Sequence, residues 1–159
     1  MNKYPNLLLD NQLCFSLYSA TNAITRYYRL YLKELGITYT QYLVLIALWE
    51  GDCKKASDIA SMLKLDLPTI TPMLKKLEKM GLINKIRSSA DERVINVTLT
   101  KKGIDLEEPV AAIQDKVACK THLPSIEFNA LKKTLNELTA ALEISEHDLK
   151  EAKNFVSCD

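Results

Sequence analysis

The sequence predicts a mainly α fold carrying one small β ribbon, and three observations predict it. Among 159 residues there are only four glycines and five prolines, while hydrophobic types make up 47%; that composition favours helices with few loops. Apolar residues recur at helical spacing, beginning with the stripe Leu13, Leu17, Ile24, Tyr28, Tyr31 and Leu35. Two stretches, 83–88 and 94–99, instead alternate polar and apolar residues around the polar tip 88–92, as paired strands do. A chain of this length is one domain, residues 1–159, long enough for a real core.

The elements follow in order. The first stripe predicts a helix over 10–35, stopped by Gly36. Thr38 and Gln41 form a capping box that opens a second helix, reaching about Glu50. Gly51 and Asp52 end it. Two short helices are expected next, one over about 56–64 and one that Asp66 precedes and that runs to Met80, closed by Gly81. Local rules leave the start of that second helix open: either it begins near Leu67 and Pro72 bends it, or Thr71 caps it with Pro72 as the first helical residue. After the ribbon, Thr100 can cap a helix running to about Thr121 and bent at Pro109. Pro124 and Ser125 restart one that lasts to Leu142, and Ser145 is a candidate cap for a weaker helix in the tail 143–159.

The longest apolar run, Tyr42–Trp49, is too short to span a bilayer. The N-terminus lacks the basic, apolar and small-residue succession of a secretory signal. A cytoplasmic protein without a membrane partner is expected. Its four cysteines would then be reduced at rest, so a disulfide would be a signal or a reaction step.

The net charge of +1 conceals a segregation. Residues 54–103 hold eleven Lys/Arg against five acids, a net +6, and the rest of the chain carries −5. A basic middle in an acidic frame suits a polyanion, although a solvated surface with uneven charge is the plainer reading of charge alone. The order of elements decides for the polyanion. Two short helices with a tight link, then a two-stranded ribbon, make a winged helix-turn-helix over 54–103, flanked by helices at 10–50 and 104–142 suited to dimerisation. Such a module places one helix in the major groove of double-stranded DNA. The candidate helix offers Thr69 and Thr71 in its first turns and Lys75 and Lys76 a turn later, while Ile70, Leu74 and Leu77 pack inward. The ribbon carries Arg87 and Arg93, suited to a narrow minor groove. Asp91 repels phosphate and is expected to pair with an arginine and aim it.

These residues resemble the MarR family of dimeric winged-helix transcription factors. Asp91-Glu92-Arg93 followed by Leu99-Thr100-Lys101-Lys102-Gly103 is similar to its wing signature, and the stretch 69–78 resembles its recognition helix. Within that family, 10–18 (Asp10-Asn11-Gln12-Leu13-Cys14-Phe15-Ser16-Leu17-Tyr18) and 35–44 resemble the organic-hydroperoxide resistance regulators, OhrR. The resemblance implies a peroxide-sensing repressor, not an enzyme, that binds a pseudo-palindromic operator as a homodimer and needs no cofactor. It implies a sensing thiol at Cys14, hydrogen-bonded by Tyr28 and Tyr39 with Tyr18 nearby, and, in the two-cysteine type, a resolving thiol at Cys119. Oxidation by organic hydroperoxide would then join Cys14 to Cys119 of the other subunit and release the DNA.

Spacing adds a point of its own. Tyr18 lies four residues from Cys14 and shares its helix face. Tyr28 lies fourteen residues on, about 21 Å along a straight helix at the standard rise, so contact with Cys14 would require a second subunit. The first turns of a helix favour an anion, which suits a reactive Cys14. Plainer readings stand beside these. A free cysteine is commonly a small buried hydrophobe, and that reading is kept for Cys53 and Cys158. Tyrosines at helical spacing commonly pack cores or interfaces. Cys119 and His122 make half of a conceivable zinc site, but there is no CxxC pair and only one other histidine, so no metal is expected. Three rival functions remain: a regulator released by a small aromatic ligand, a thiol peroxidase (which the missing thioredoxin-like pattern disfavours), and a dimeric interaction module without DNA binding.

Overall fold

The computed structural model describes residues 4–87, 94–143 and 148. The chain divides into two compact units, Met1–Lys120 and Thr121–Asp159.

In the first unit, helix α1 runs Leu13–Leu32. It opens three residues later than the apolar spacing predicts, because two 3₁₀ turns, Pro5–Leu7 and Leu9–Asn11, precede it. Side chains hold these turns: Asn11 Nδ2 donates to the Pro5 carbonyl at 2.8 Å, and Gln12 Nε2 donates to the carbonyl of Asn6. Local bonds of this kind compete with helix propagation. The helix closes through a 3₁₀ turn, Lys33–Leu35, and Gly36 stops it at φ 71°, a left-handed value glycine adopts without steric cost. Of the predicted stripe only Tyr28 is fully buried, joined by Leu32, while Leu13 and Ile24 stay exposed.

The capping box is present at the start of α2, Tyr39–Trp49. The Gln41 amide donates to Thr38 Oγ1 at 3.4 Å and the Thr38 amide to Gln41 Oε1 at 2.8 Å. α2 buries six of its eleven residues, which makes it the centre of the core.

Strand β1, Lys54–Lys55, leads into α3, Ala56–Met62, and then α4, Leu67–Lys79. Strands β2, Ile83–Arg87, and β3, Ile95–Leu99, follow. The sheet order is β1-β3-β2, all antiparallel, with Ile83 opposite Leu99 and Lys54 opposite Val97. The sequence predicts two strands and the sheet has three, because a two-residue strand carries no alternation to detect. Ile59, Ile70, Leu77, Leu82, Ile83 and Val97 seal the helices onto the sheet.

Beyond β3 the expected single helix is two: α5, Lys101–Asp105, and α6, Glu107–Lys120. The break falls at Leu106, not Pro109. Pro109 has no N–H for the Asp105 carbonyl and its ring crowds that oxygen, so the earlier helix ends there and Pro109 sits in the first turn of the next. Thr100 ties the junction together. Its amide donates to the Leu82 carbonyl at 3.0 Å, its hydroxyl donates to the Gly81 carbonyl at 2.6 Å, and that oxygen accepts the Gly103 amide at 3.1 Å.

The second unit contains α7, Ser125–Ala141, which starts after Pro124 as expected and buries none of its residues. Among the described residues, no helix is long and apolar enough to cross a membrane. The expected tail helix from Ser145, and Cys158, lie outside the described residues.

Candidate functional site

Cys14 is the second residue of α1 and is exposed. Its Sγ lies 3.5 Å from Gln12 Oε1, which the Gln12 bond to Asn6 holds in place. Tyr18, one turn along, is 66% exposed. Tyr28 is far away: α1 is one α-helix from Leu13 to Leu32, and fourteen residues of it span about 21 Å. A single chain therefore does not bring Cys14 and Tyr28 together.

It does bring Tyr28 and Tyr39 together. Their ring centroids are 5.1 Å apart, and Tyr42, which the sequence reading counted only as the start of the apolar run 42–49, completes a triad at 5.1 Å from Tyr28 and 5.7 Å from Tyr39. The Tyr42 hydroxyl donates to the Tyr28 oxygen at 3.5 Å. Burial, helped by Tyr28, raises the Tyr39 hydroxyl above the ordinary tyrosine range. Burial and then the bond to Tyr28 push Tyr42 up further. Both remain neutral O–H donors at any physiological pH. The signal for Tyr42 was its i, i+3 spacing from Tyr39, which puts both on one face of α2.

Cys119 is exposed in the last turn of α6. One turn earlier, the Lys116 ammonium lies 5.7 Å from the Tyr31 ring. That contact ties the end of α6 to the C-terminal end of α1, and Tyr31 is seventeen residues from Cys14, about 25 Å along the axis. A disulfide needs Cα atoms within about 7 Å, so Cys14 and Cys119 of one chain are not placed to pair.

The basic part is built on α4. Asp66 caps it, accepting the Thr69 amide at 2.9 Å, and hydrogen bonding from the Thr69 side chain, then from its amide, holds the Asp66 carboxyl below its ordinary range. The helix therefore begins at Leu67, and Pro72 lies inside it. Thr71 stabilises the same turn, donating its hydroxyl to the Leu67 carbonyl at 2.8 Å. Ile70, Leu74 and Leu77 are buried as expected, while Thr69, Lys75 and Lys76 are exposed and Thr71 is half-buried. Arg87 ends β2 on the surface. It shares with Thr71 and Lys75 a groove of about 390 Å³ between α4 and the sheet. Glu78, also lining it, is held by Lys85 at 2.8 Å, so its charge is answered locally. Asp91 and Arg93 lie outside the described residues. Among the described residues, no cluster of metal-binding side chains occurs.

Two short helices packed on an antiparallel wing, with a cation-lined groove between helix and sheet, define a winged-helix regulator. The comparisons with known proteins agree. Residues 26–110 match the family model described as transcriptional regulator SarA/Rot. The organic hydroperoxide resistance transcriptional regulator of Bacillus subtilis is 38% identical over 141 residues, 89% of this chain and 96% of that protein. A solved structure of reduced AbfR bound to DNA superposes with a TM-score of 0.74 at 36% identity, covering 89% of this chain and 97% of that one. A disulfide-formed AbfR gives 0.59 at 38% identity, over 85% and 90%. The chain belongs to the MarR/SarA family of winged-helix transcriptional regulators and, within it, is an OhrR-type homologue; it is not an enzyme.

Proposed function

We propose that this protein is a redox-sensing transcriptional repressor that binds a pseudo-palindromic DNA operator as a homodimer and lets go when organic hydroperoxide oxidises Cys14. Residues 54–103 read DNA through Thr69, Thr71, Lys75, Lys76, Arg87 and Arg93, with Asp91 orienting an arginine. Segments 10–50 and 104–142 dimerise, and the protein acts in the cytoplasm. The carrying observation is the separation of Cys14 from Tyr28, and so from the Tyr39 packed on it, along an unbroken helix. A second, antiparallel copy of α1 brings Tyr28 and Tyr39 to Cys14 of the partner subunit. The exposed apolar side chains of Leu13, Phe15, Tyr18, Ile24 and Leu30 on α1 supply a surface for that copy. A 17-residue α7 that buries nothing supplies another.

The chemistry balances simply. The Cys14 thiolate attacks one peroxide oxygen, the O–O bond breaks, and the alkoxide takes up a proton and leaves as the alcohol. Cys14 becomes a sulfenic acid. The thiolate of Cys119 of the partner subunit then attacks that sulfur, the S–O bond breaks, and the hydroxide takes up a proton and leaves as water, giving an intersubunit disulfide. The relatives described as an organic hydroperoxide regulator and as a disulfide-formed AbfR support both steps. Forming the crosslink draws helix ends together, rotates the wings and spoils half-site spacing.

The pairing has a direct test. Treated with cumene hydroperoxide, wild type runs as a covalent dimer on nonreducing gels, and Cys119→Ser does not. Undiminished crosslinking in Cys119→Ser contradicts the pairing.

A second reading has one observation in its favour. A groove of about 660 Å³ beside Tyr39 is lined by Arg29, Lys33 and Thr38, a setting for an anionic aromatic ligand. A regulator released by such a ligand would respond equally well with Cys14→Ser.

A further inference from the structure

We propose that Tyr42 is a positioning residue for the Cys14 chemistry, acting through Tyr28. A phenol has one proton to give and an oxygen that accepts. The Tyr42 hydroxyl spends its proton on the Tyr28 oxygen, at 3.5 Å. Tyr28 therefore cannot donate back to Tyr42, and among the described residues its own proton has no acceptor in this chain. That proton is left for an acceptor outside the chain, and the reading above places Cys14 of the partner subunit there; the inference rests on that reading. Accepting a hydrogen bond also polarises the Tyr28 O–H and makes it a better donor.

The surroundings hold the pair in place. Tyr42 is 3% exposed and Tyr28 9% exposed, so the more deeply buried Tyr42 has Tyr28 as its partner while Tyr28 keeps some surface open beyond the chain. The rings of Tyr28, Tyr39 and Tyr42 pack at 5.1–5.7 Å, which fixes their tilt. Thr38 and Gln41 lock the first turn of α2, so Tyr42 enters from a rigid backbone. Its hydroxyl is held neutral by burial and by the bond itself, so it remains a donor.

The experiment is a double-mutant cycle read at the sulfur. The rate at which cumene hydroperoxide converts Cys14 to a sulfenic acid, trapped with dimedone and read on the Cys14 peptide, is measured for wild type, Tyr42→Phe, Tyr28→Phe and the double variant. Phenylalanine keeps the ring packing and removes only the hydroxyl. Tyr42→Phe is expected to slow the reaction about 3- to 10-fold in the wild-type background and to change it by less than about 1.5-fold when Tyr28 is already Phe. Equal slowing in both backgrounds overturns the relay and makes Tyr42 a packing residue. So does an unchanged rate in Tyr42→Phe while Tyr28→Phe is slow, which leaves the redox reading standing. A Tyr28→Phe protein as fast as wild type overturns the relay and the tyrosine-bound thiol together.

Discussion

Replacing Cys14 by Ser is expected to leave operator binding intact and to abolish its loss on oxidation. Wild type should lose about 10- to 100-fold in operator affinity after one equivalent of organic hydroperoxide, the usual size of coupling between an effector site and a second site. Cys14→Ser should lose less than about twofold, because the serine hydroxyl does not attack a peroxide. The change replaces one sulfur by oxygen in the first turn of α1, where the side chain bonds Gln12 Oε1. The residues proposed to read DNA lie on α4 and the wing, separate elements from α1, so basal binding is expected to hold. Fluorescence anisotropy with a labelled promoter fragment, at one fixed salt concentration, gives both numbers. An oxidant response retained in Cys14→Ser would instead favour Cys119 or a bound ligand as the trigger.

Gly103→Ala should damage the fold severely. A Cβ built at Gly103 collides with the Leu82 carbonyl oxygen and comes 3.1 Å from Leu99 Cδ2. The collision is with backbone, which cannot rotate aside. That backbone is pinned twice more: the Leu82 carbonyl accepts the Thr100 amide, and the Gly103 carbonyl accepts Trp49 Nε1 at 3.1 Å. The overpacking cost is about 3 kcal/mol, which for a domain of this size lowers Tm by roughly 6–12 °C. Calorimetry of the reduced protein checks it. A shift below about 2 °C would show that the junction between wing and α5 can relax.

These two predictions mark how much the sequence disclosed. The run Leu99-Thr100-Lys101-Lys102-Gly103 was legible as a family signature before its reason was visible. The structure supplies the reason: Thr100 closes the turn onto Gly81 and Gly103, and Gly103 is where a helix start presses on the backbone before β2. Capping chemistry was legible too, because Thr38 with Gln41 and Thr100 with Gly103 act over three residues. What escaped was set by distant partners. The two residues of β1 become a strand only because β3 passes beside them. The break at Leu106 reflects what Pro109 does to a carbonyl four residues back. The late start of α1 depends on Asn11 and Gln12 reaching back to the preceding turns.

The site shows the same division. Tyr28 and Tyr39 could be named from their resemblance to a family pattern, and the helix rise alone separates Tyr28 from Cys14. Tyr42 had only its i, i+3 spacing from Tyr39 to mark it, and a tyrosine heading the apolar run 42–49 otherwise looks like any buried aromatic. Only the packing of α1 on α2, which sets its hydroxyl against Tyr28, gives it a direction.

The most direct test of a site shared between subunits is a mixed dimer, one subunit carrying Cys14→Ser and the other Tyr28→Phe, isolated with two affinity tags. If each site draws its thiol and its tyrosine from different chains, the remaining Cys14 faces an intact Tyr28 and forms its sulfenic acid at the wild-type rate. If that Cys14 reacts as slowly as in the Tyr28→Phe homodimer, the site is not shared and the account is wrong.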